Sequence, residues 1–156
     1  MILSKKQWVA LVCMAILFIF LGGLREILFV NINEQILFDQ GGVSDYRVLP
    51  YLQFLGDYSL EELNRWKWIL TLLFSLCYLL LSLTSLKQIL GFHETRRWLL
   101  AAYGIGLLIS GLSYLSGKLT GQLELGYTLS RVIMGALQSP FPLMLMIPAL
   151  LLRQTE

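Results

Sequence analysis

Between Arg131 and Arg153 the chain carries 21 uncharged residues, VIMGALQSPFPLMLMIPALLL, and three of them are prolines, at positions 140, 142 and 148. At about 1.5 Å rise per residue a helix of that length reaches roughly 32 Å, the hydrocarbon thickness of a bilayer, so the stretch reads as a transmembrane helix. Each proline lacks an N–H and leaves the carbonyl four residues back without its usual donor, which frees the acceptors of Ala136, Gln138 and Met144. In hydrocarbon such groups need partners from neighbouring helices, side-chain hydroxyls or water. A proline-broken helix that also holds Gln138 and Ser139 must therefore pack against protein, and the rest of the chain is its expected partner.

The remaining sequence has the same character. A 156-residue chain with 56% hydrophobic and 14% charged residues and a mean hydropathy of +0.68 is too apolar for a soluble globule of that size. Its apolar residues are gathered into long runs instead of being spread at helical or strand period. The expected fold is an all-α polytopic membrane protein, one domain over 1–156 with four transmembrane helices, the last broken by proline. The spans fall at about 8–30, 66–90, 98–117 and 131–152, with an extramembrane loop at 39–58. Met1 to Leu24 has the outline of a signal peptide, Lys5 and Lys6 before an apolar run. No small-x-small cleavage site follows, and it reads as an uncleaved first span.

Beyond Leu24 the pattern becomes mixed. Arg25 and Glu26 interrupt, and Asn31, Asn33, Glu34 and Gln35 alternate with apolar residues, which suits an interfacial helix or turn at the membrane surface. From Asp39 to Tyr58 the chain is acidic and contains Gly41, Gly42 and Pro50. Its VLPYLQFL stretch, Val48 to Leu55, is too apolar for a solvated loop and is expected to fold back, with Tyr51 and Phe54 at headgroup level. Ser59 and Glu62 have capping-box spacing and start the second helix, with Gly91 its candidate C-cap. After the charged link His93 to Arg97, the third span carries Ala102, Gly106, Ser110, Ser113 and Gly117 at three- or four-residue intervals. That stripe of small residues is expected to be a helix-packing seam. Lys118 to Ser130 reads as the turn before the last span.

Four spans place both termini on one side. Lys5, Lys6, Lys87, Arg96, Arg97 and Arg153 lie there in short flanks, whereas the six basic residues of the other side stand among eight acids. The compressed positive flanks favour cytoplasmic termini. On the opposite face the same topology gathers Arg25 at the end of helix 1, Arg65 at the start of helix 2 and Arg131 at the opening of helix 4. Gln138 lies two turns beyond Arg131 on the same stripe, past Gly135. These arginines could hold a carboxylate, a phosphate-bearing molecule or a lipid headgroup, and the same residues also suit snorkelling anchors at helix ends.

Other activities find little support. A net charge of +2 without a basic aromatic patch argues against nucleic acid. One histidine, His93, and two cysteines inside apolar runs, Cys13 and Cys77, provide neither a metal-ligand framework nor a nucleophile beside a base. The cysteines read as buried structural thiols. A bis-histidine haem is excluded and a His/Met pair is left open. No cofactor, metal or catalytic group is expected.

Arg25 followed by Leu28 and Phe29, then Arg65-Trp66, then Ser130-Arg131, Gln138, Pro140 and Pro148-Ala149 form a layout that resembles small membrane proteins associated with bacterial exosortase systems. In that family the last helix opens Arg-Arg with Gln directly before Pro, whereas here Arg131 follows Ser130 and Ser139 intervenes. The resemblance implies a non-enzymatic accessory subunit in the bacterial inner (cytoplasmic) membrane, beside a sorting transpeptidase. It does not make this chain the transpeptidase, because neither VCM nor LCY matches the small-residue cysteine motif of that enzyme. The expected partners are membrane lipids and a larger integral membrane protein or further copies of this chain.

Overall fold

The structure, a computed structural model, describes the backbone of residues 5–42, 47–90 and 93–153, and the side chains of these apart from 89, 90, 93–95 and 150–153. It is all helical, with no strand among the described residues: α1 (Lys5–Asp39), a 3₁₀ helix (Pro50–Asp57), α2 (Leu60–Leu90), α3 (His93–Leu119), α4 (Leu123–Leu137) and α5 (Phe141–Arg153). Three helices, α1, α2 and α3, are long and apolar enough to cross a membrane, and a fourth crossing is available if α4 and α5 count as one bent span. Gly91, the expected C-cap, and the side chain of His93 lie outside the described residues. The chain divides into two compact units, Ile19–Phe74 and a second made of Met1–Phe18 with Ser75–Glu156.

In the unit Ile19–Phe74, α1 does not become a separate surface element after Leu24. It continues as one helix to Asp39, with Asn31 bonded through both side-chain atoms and Gln35 through its Nε2, while Gln35 Oε1 is buried without a partner among the described residues. Asn31 and Gln35 are buried there beside Ile32. The Asn31 Nδ2 donates to the Ile27 carbonyl at 2.7 Å, while its Oδ1 accepts from the Leu49 amide at 2.7 Å, tying the returning segment to the helix. Gln35 Nε2 donates to Asp39 Oδ1 at 2.8 Å. The helix then stops in a Schellman motif: the amides of Gly41 and Gly42 donate to the carbonyls of Phe38 and Leu37 at 2.9 Å each, with Gly41 at φ +70°. The segment after it folds back. Val48, Leu52 and Leu55 form a core with Ile32 and Leu63, and Leu28, Ile36, Tyr58 and Leu70 pack around it. At Ser59 the capping box is formed: the Ser59 amide donates to Glu62 Oε2 at 2.9 Å, and the Glu62 amide to Ser59 Oγ at 3.4 Å.

In the other unit the N-terminal part of α1 lies along the C-terminal part of α2. Gln7 Nε2 donates to the Gln88 carbonyl at 3.1 Å, Ser85 Oγ to Met14 Sδ at 3.0 Å, and the Phe18 and Tyr78 rings meet at 5.7 Å. Cys13 is exposed and Cys77 half-buried, which corrects the expectation of two buried thiols: Cys13 sits on a face of α1 that the described residues leave uncovered. α3 ends at Leu119, turns through Gly121 (φ +73°) and runs back as α4, which starts at Leu123 instead of Arg131. Lys118 to Ser130 is therefore mostly helix. A charge marks where hydrocarbon can end, but helix hydrogen bonds are as well formed on either side of that boundary, and Arg131 does not stop them.

Candidate functional site

The α3–α4 seam determines how closely the last helices approach. A Cβ built on Gly117 would lie 2.7 Å from the Gly126 Cα, and one on Gly126 only 2.6 Å from the Ser113 carbonyl oxygen. The two backbones touch there, and nothing larger than glycine fits without moving one of them. One turn deeper, Ser110 Oγ and Ser130 Oγ are hydrogen-bonded at 2.7 Å, and both residues are buried. At the far end Gly106 faces the Leu137 side chain, 2.8 Å from where its Cβ would be. Ala102 is half-buried on the same helix. Thus Gly106, Ser110, Ser113 and Gly117 lie against α4, with Ser130 and Gly126 as the partners that the pattern along α3 alone does not identify.

Where the seam ends, the helix breaks. Pro140 and Pro142 remove two amides that would continue α4, and the intervening Phe141 amide turns to Ser139 Oγ at 3.2 Å. α4 ends at Leu137, Gln138 leaves the helical region (φ −91°, ψ 43°), and α5 restarts at Phe141 with a bend of 60°. The last span, expected at 131–152 and broken by proline, is two helices, and the first of them begins at Leu123. Of the acceptors thought to be freed by proline, Ala136 is satisfied locally by Ser139 Oγ at 2.7 Å. A further one, the Leu137 carbonyl, loses its donor because Phe141 has turned away, and Tyr103 of α3 supplies the replacement at 2.9 Å. The Tyr103 hydroxyl has one proton and commits it to Leu137, so Ser82 of α2, 3.4 Å away, is the donor in their mutual contact. Gln138 Nε2 donates to Ser75 Oγ of α2 at 2.7 Å.

These contacts form one buried polar cluster: Ser75, Ser82, Tyr103 and Gln138 are each 5% exposed or less. Of its members, only Gln138 stands out in the sequence, as a polar residue within the proline-broken span. The signal for the others was present, since Ser75, Tyr78, Ser82 and Ser85 recur on one face of α2 and Tyr103 belongs to the α3 stripe of small residues.

The arginines have different settings. Arg131 lies exposed in the middle of α4 while Gln138 is buried, so the two do not share the expected stripe; Gln138 has left the helix whose periodicity related them. Gly135 between them is half-buried. Arg25 is likewise mid-helix in α1, and its guanidinium lies 5.5 Å from the centroid of the Phe29 ring, a cation–π placement. Arg65 is exposed in the second turn of α2, just beyond the capping box. Of the three arginines, only Arg65 stands at a helix end as anticipated. No group of three or more His, Cys, Asp and Glu placed to hold a metal ion occurs among the described residues. Comparison of the chain with protein families, curated proteins and solved structures finds no match.

Proposed function

We propose that this chain is an integral membrane protein of four crossings that serves as a non-enzymatic accessory subunit, docking beside a larger membrane protein of the exosortase type to which its layout points. The fourth crossing is supported by length. Along its own axis α4 covers about 22 Å, and α5, about 20 Å long and turned by 60°, adds roughly half its length. The total of about 30 Å matches the hydrocarbon thickness, with Arg131, exposed about 12 Å along α4, snorkelling towards the nearer surface, and a re-entrant loop would need the chain to reverse. With four crossings the termini share a side; the compressed positive flanks favour the cytoplasmic one, and the resemblance implies a bacterial inner membrane.

The observation that carries the subunit reading is the brace at the break. Gln138 bonds to Ser75 and Ser82 to Tyr103, while Tyr103 and Ser139 donate to the carbonyls of Leu137 and Ala136. Such an arrangement fixes the direction of α5, as a scaffold requires. The alternative, an anionic molecule or headgroup held by Arg25, Arg65 and Arg131, draws less support, because Arg25 and Arg131 are mid-helix and Arg25 rests over Phe29.

Purification in mild detergent followed by mass spectrometry tests the reading. A larger membrane protein in stoichiometric amount is expected, and a lone monomer retaining only lipid would refute it. Gln138→Leu adds a second readout. It should lower stability by about 1 kcal/mol, the scale of interhelical hydrogen bonds in membranes, without loss of the partner. Unchanged melting together with a lost partner would mean that Gln138 serves the interface and not the brace.

A further inference from the structure

Within the unit Ile19–Phe74 a run of aromatic side chains forms a connected edge. The Phe54 ring meets Tyr58 edge-on with centroids 6.5 Å apart, and Tyr58 meets Trp66 in the same manner at 6.4 Å. The 3₁₀ helix that carries Phe54 is two-faced: Leu52 and Leu55 are in the core, whereas Tyr51 and Phe54 are 65% and 52% exposed. From Trp66 the exposed face continues along α2 through Ile69 and Leu73, at helical spacing.

The length of α2 sets the level of this edge relative to a bilayer, and the register of α1 is read against it. Trp66 stands 21 residues before Lys87, about 32 Å along the helix, with no charge between Trp68 and Leu86. That is the hydrocarbon thickness, so if Lys87 marks one boundary Trp66 marks the other. On α1, Ile32 packs in the same core as Leu63, nearly one turn outside Trp66, so the polar Asn33, Glu34, Gln35 and Asp39 lie beyond the level that Trp66 defines, while Arg25 and Glu26 lie about one turn inside it, within snorkelling reach of the surface, with the Arg25 guanidinium over Phe29.

We propose that Tyr51, Phe54, Tyr58 and Trp66 form a lipid-facing interfacial edge, with the 3₁₀ helix Pro50–Asp57 lying on the membrane at the boundary between headgroups and acyl chains. Leu52 and Leu55 hold the segment to the polypeptide, and Tyr51 and Phe54 enter lipid. Aromatic side chains with a polar tip suit that level, and Arg65 and Lys67 on either side of Trp66 carry the charge that phosphates attract. Lipid is favoured over a protein partner because the edge continues the exposed α2 face, whose length is that of a bilayer. The inference rests on the membrane-spanning reading above.

Depth-dependent fluorescence quenching tests it. In the full chain with Trp8, Trp66, Trp68 and Trp98 replaced by Phe, single tryptophans are introduced by Phe54→Trp or Leu73→Trp, or Trp66 alone is retained. Each protein is placed in phosphatidylcholine vesicles brominated near the carbonyl end or deep in the acyl chain. Leu73→Trp should lose more fluorescence to the deep label, and position 54 and Trp66 more to the shallow one. Quenching of Phe54→Trp by aqueous iodide alone, or by neither label nor iodide, would overturn the proposal in favour of solvent or protein cover. Failure of Leu73→Trp to be quenched by either lipid would instead sink the membrane-spanning reading. A nitroxide on Phe54→Cys, with Cys13 and Cys77 changed to Ala and all tryptophans native, gives the same answer from its relative collision with oxygen and a soluble nickel chelate if the tryptophan-free protein does not fold.

Discussion

Tyr103→Phe is the sharpest probe of the brace, because it removes one oxygen and leaves the buried ring in place. Tyr103 is 2% exposed, so the apolar transfer term hardly changes. The change deletes the 2.9 Å bond to the Leu137 carbonyl and leaves that acceptor, already deprived of its helical donor by the turn at Phe141, without a partner. Interhelical hydrogen bonds in membranes average about 0.6 kcal/mol and reach about 1.7, while a stranded buried acceptor costs about 1–3. The loss should therefore be about 1.5 kcal/mol, roughly tenfold in the folding equilibrium. Ser82→Ala, which removes only the 3.4 Å contact to the same hydroxyl, should cost less than about 0.6 kcal/mol. The double variant should cost little more than Tyr103→Phe alone, since Ser82 donates to the oxygen that the first change removes. Reversible unfolding of the purified protein by denaturing detergent in mixed micelles measures all four corners of this cycle. Wild-type stability of Tyr103→Phe would refute the assignment of Tyr103 as the donor that closes the break, and strict additivity with Ser82→Ala would refute the bond from Ser82 to its hydroxyl.

Along the α3–α4 seam, Gly117→Ala should destabilise by about 1–3 kcal/mol and more than Gly106→Ala, because the first added methyl meets the Gly126 backbone and the second only the flexible end of Leu137. Equal melting temperatures for the two variants would mean that the backbones do not approach as described, and Leu107→Ala on an exposed face should do less than either. In the unit Ile19–Phe74, Asn31→Leu strands the Leu49 amide and should cost about 1–3 kcal/mol. Hydrogen exchange would show faster labelling across residues 48–57, and unchanged protection there would refute the tie between Asn31 and the returning segment.

Helix formation and the location of its interruptions were legible in the residues themselves. Long uncharged runs must be helical if they enter hydrocarbon, the Ser59/Glu62 pair defines a start through bonds only three residues long, and prolines at 140 and 142 remove amides whatever surrounds them. The small residues of α3 were legible for the same reason, since helical periodicity alone aligns them. Boundaries read from charge were not. Arg25 and Arg131 suggested helix ends and are mid-helix, because a charged side chain leaves the backbone hydrogen bonds of its helix intact. The Gly41-Gly42 pair was a better stop signal, satisfying the carbonyls of Phe38 and Leu37 through a left-handed residue.

By itself, then, the sequence determined where backbone acceptors would lose their donors and which faces could come close. The tertiary structure decided which groups met those needs. Tyr103 is 34 residues from Leu137 and Ser75 is 63 from Gln138, separations that no local periodicity relates. The tertiary structure also decided that Gln138 turns away from Arg131, because a residue's direction follows the helix only while the helix lasts. Hydrogen-bond demand is a property of the local chain, whereas its satisfaction depends on which distant side chain folding brings within about 3 Å.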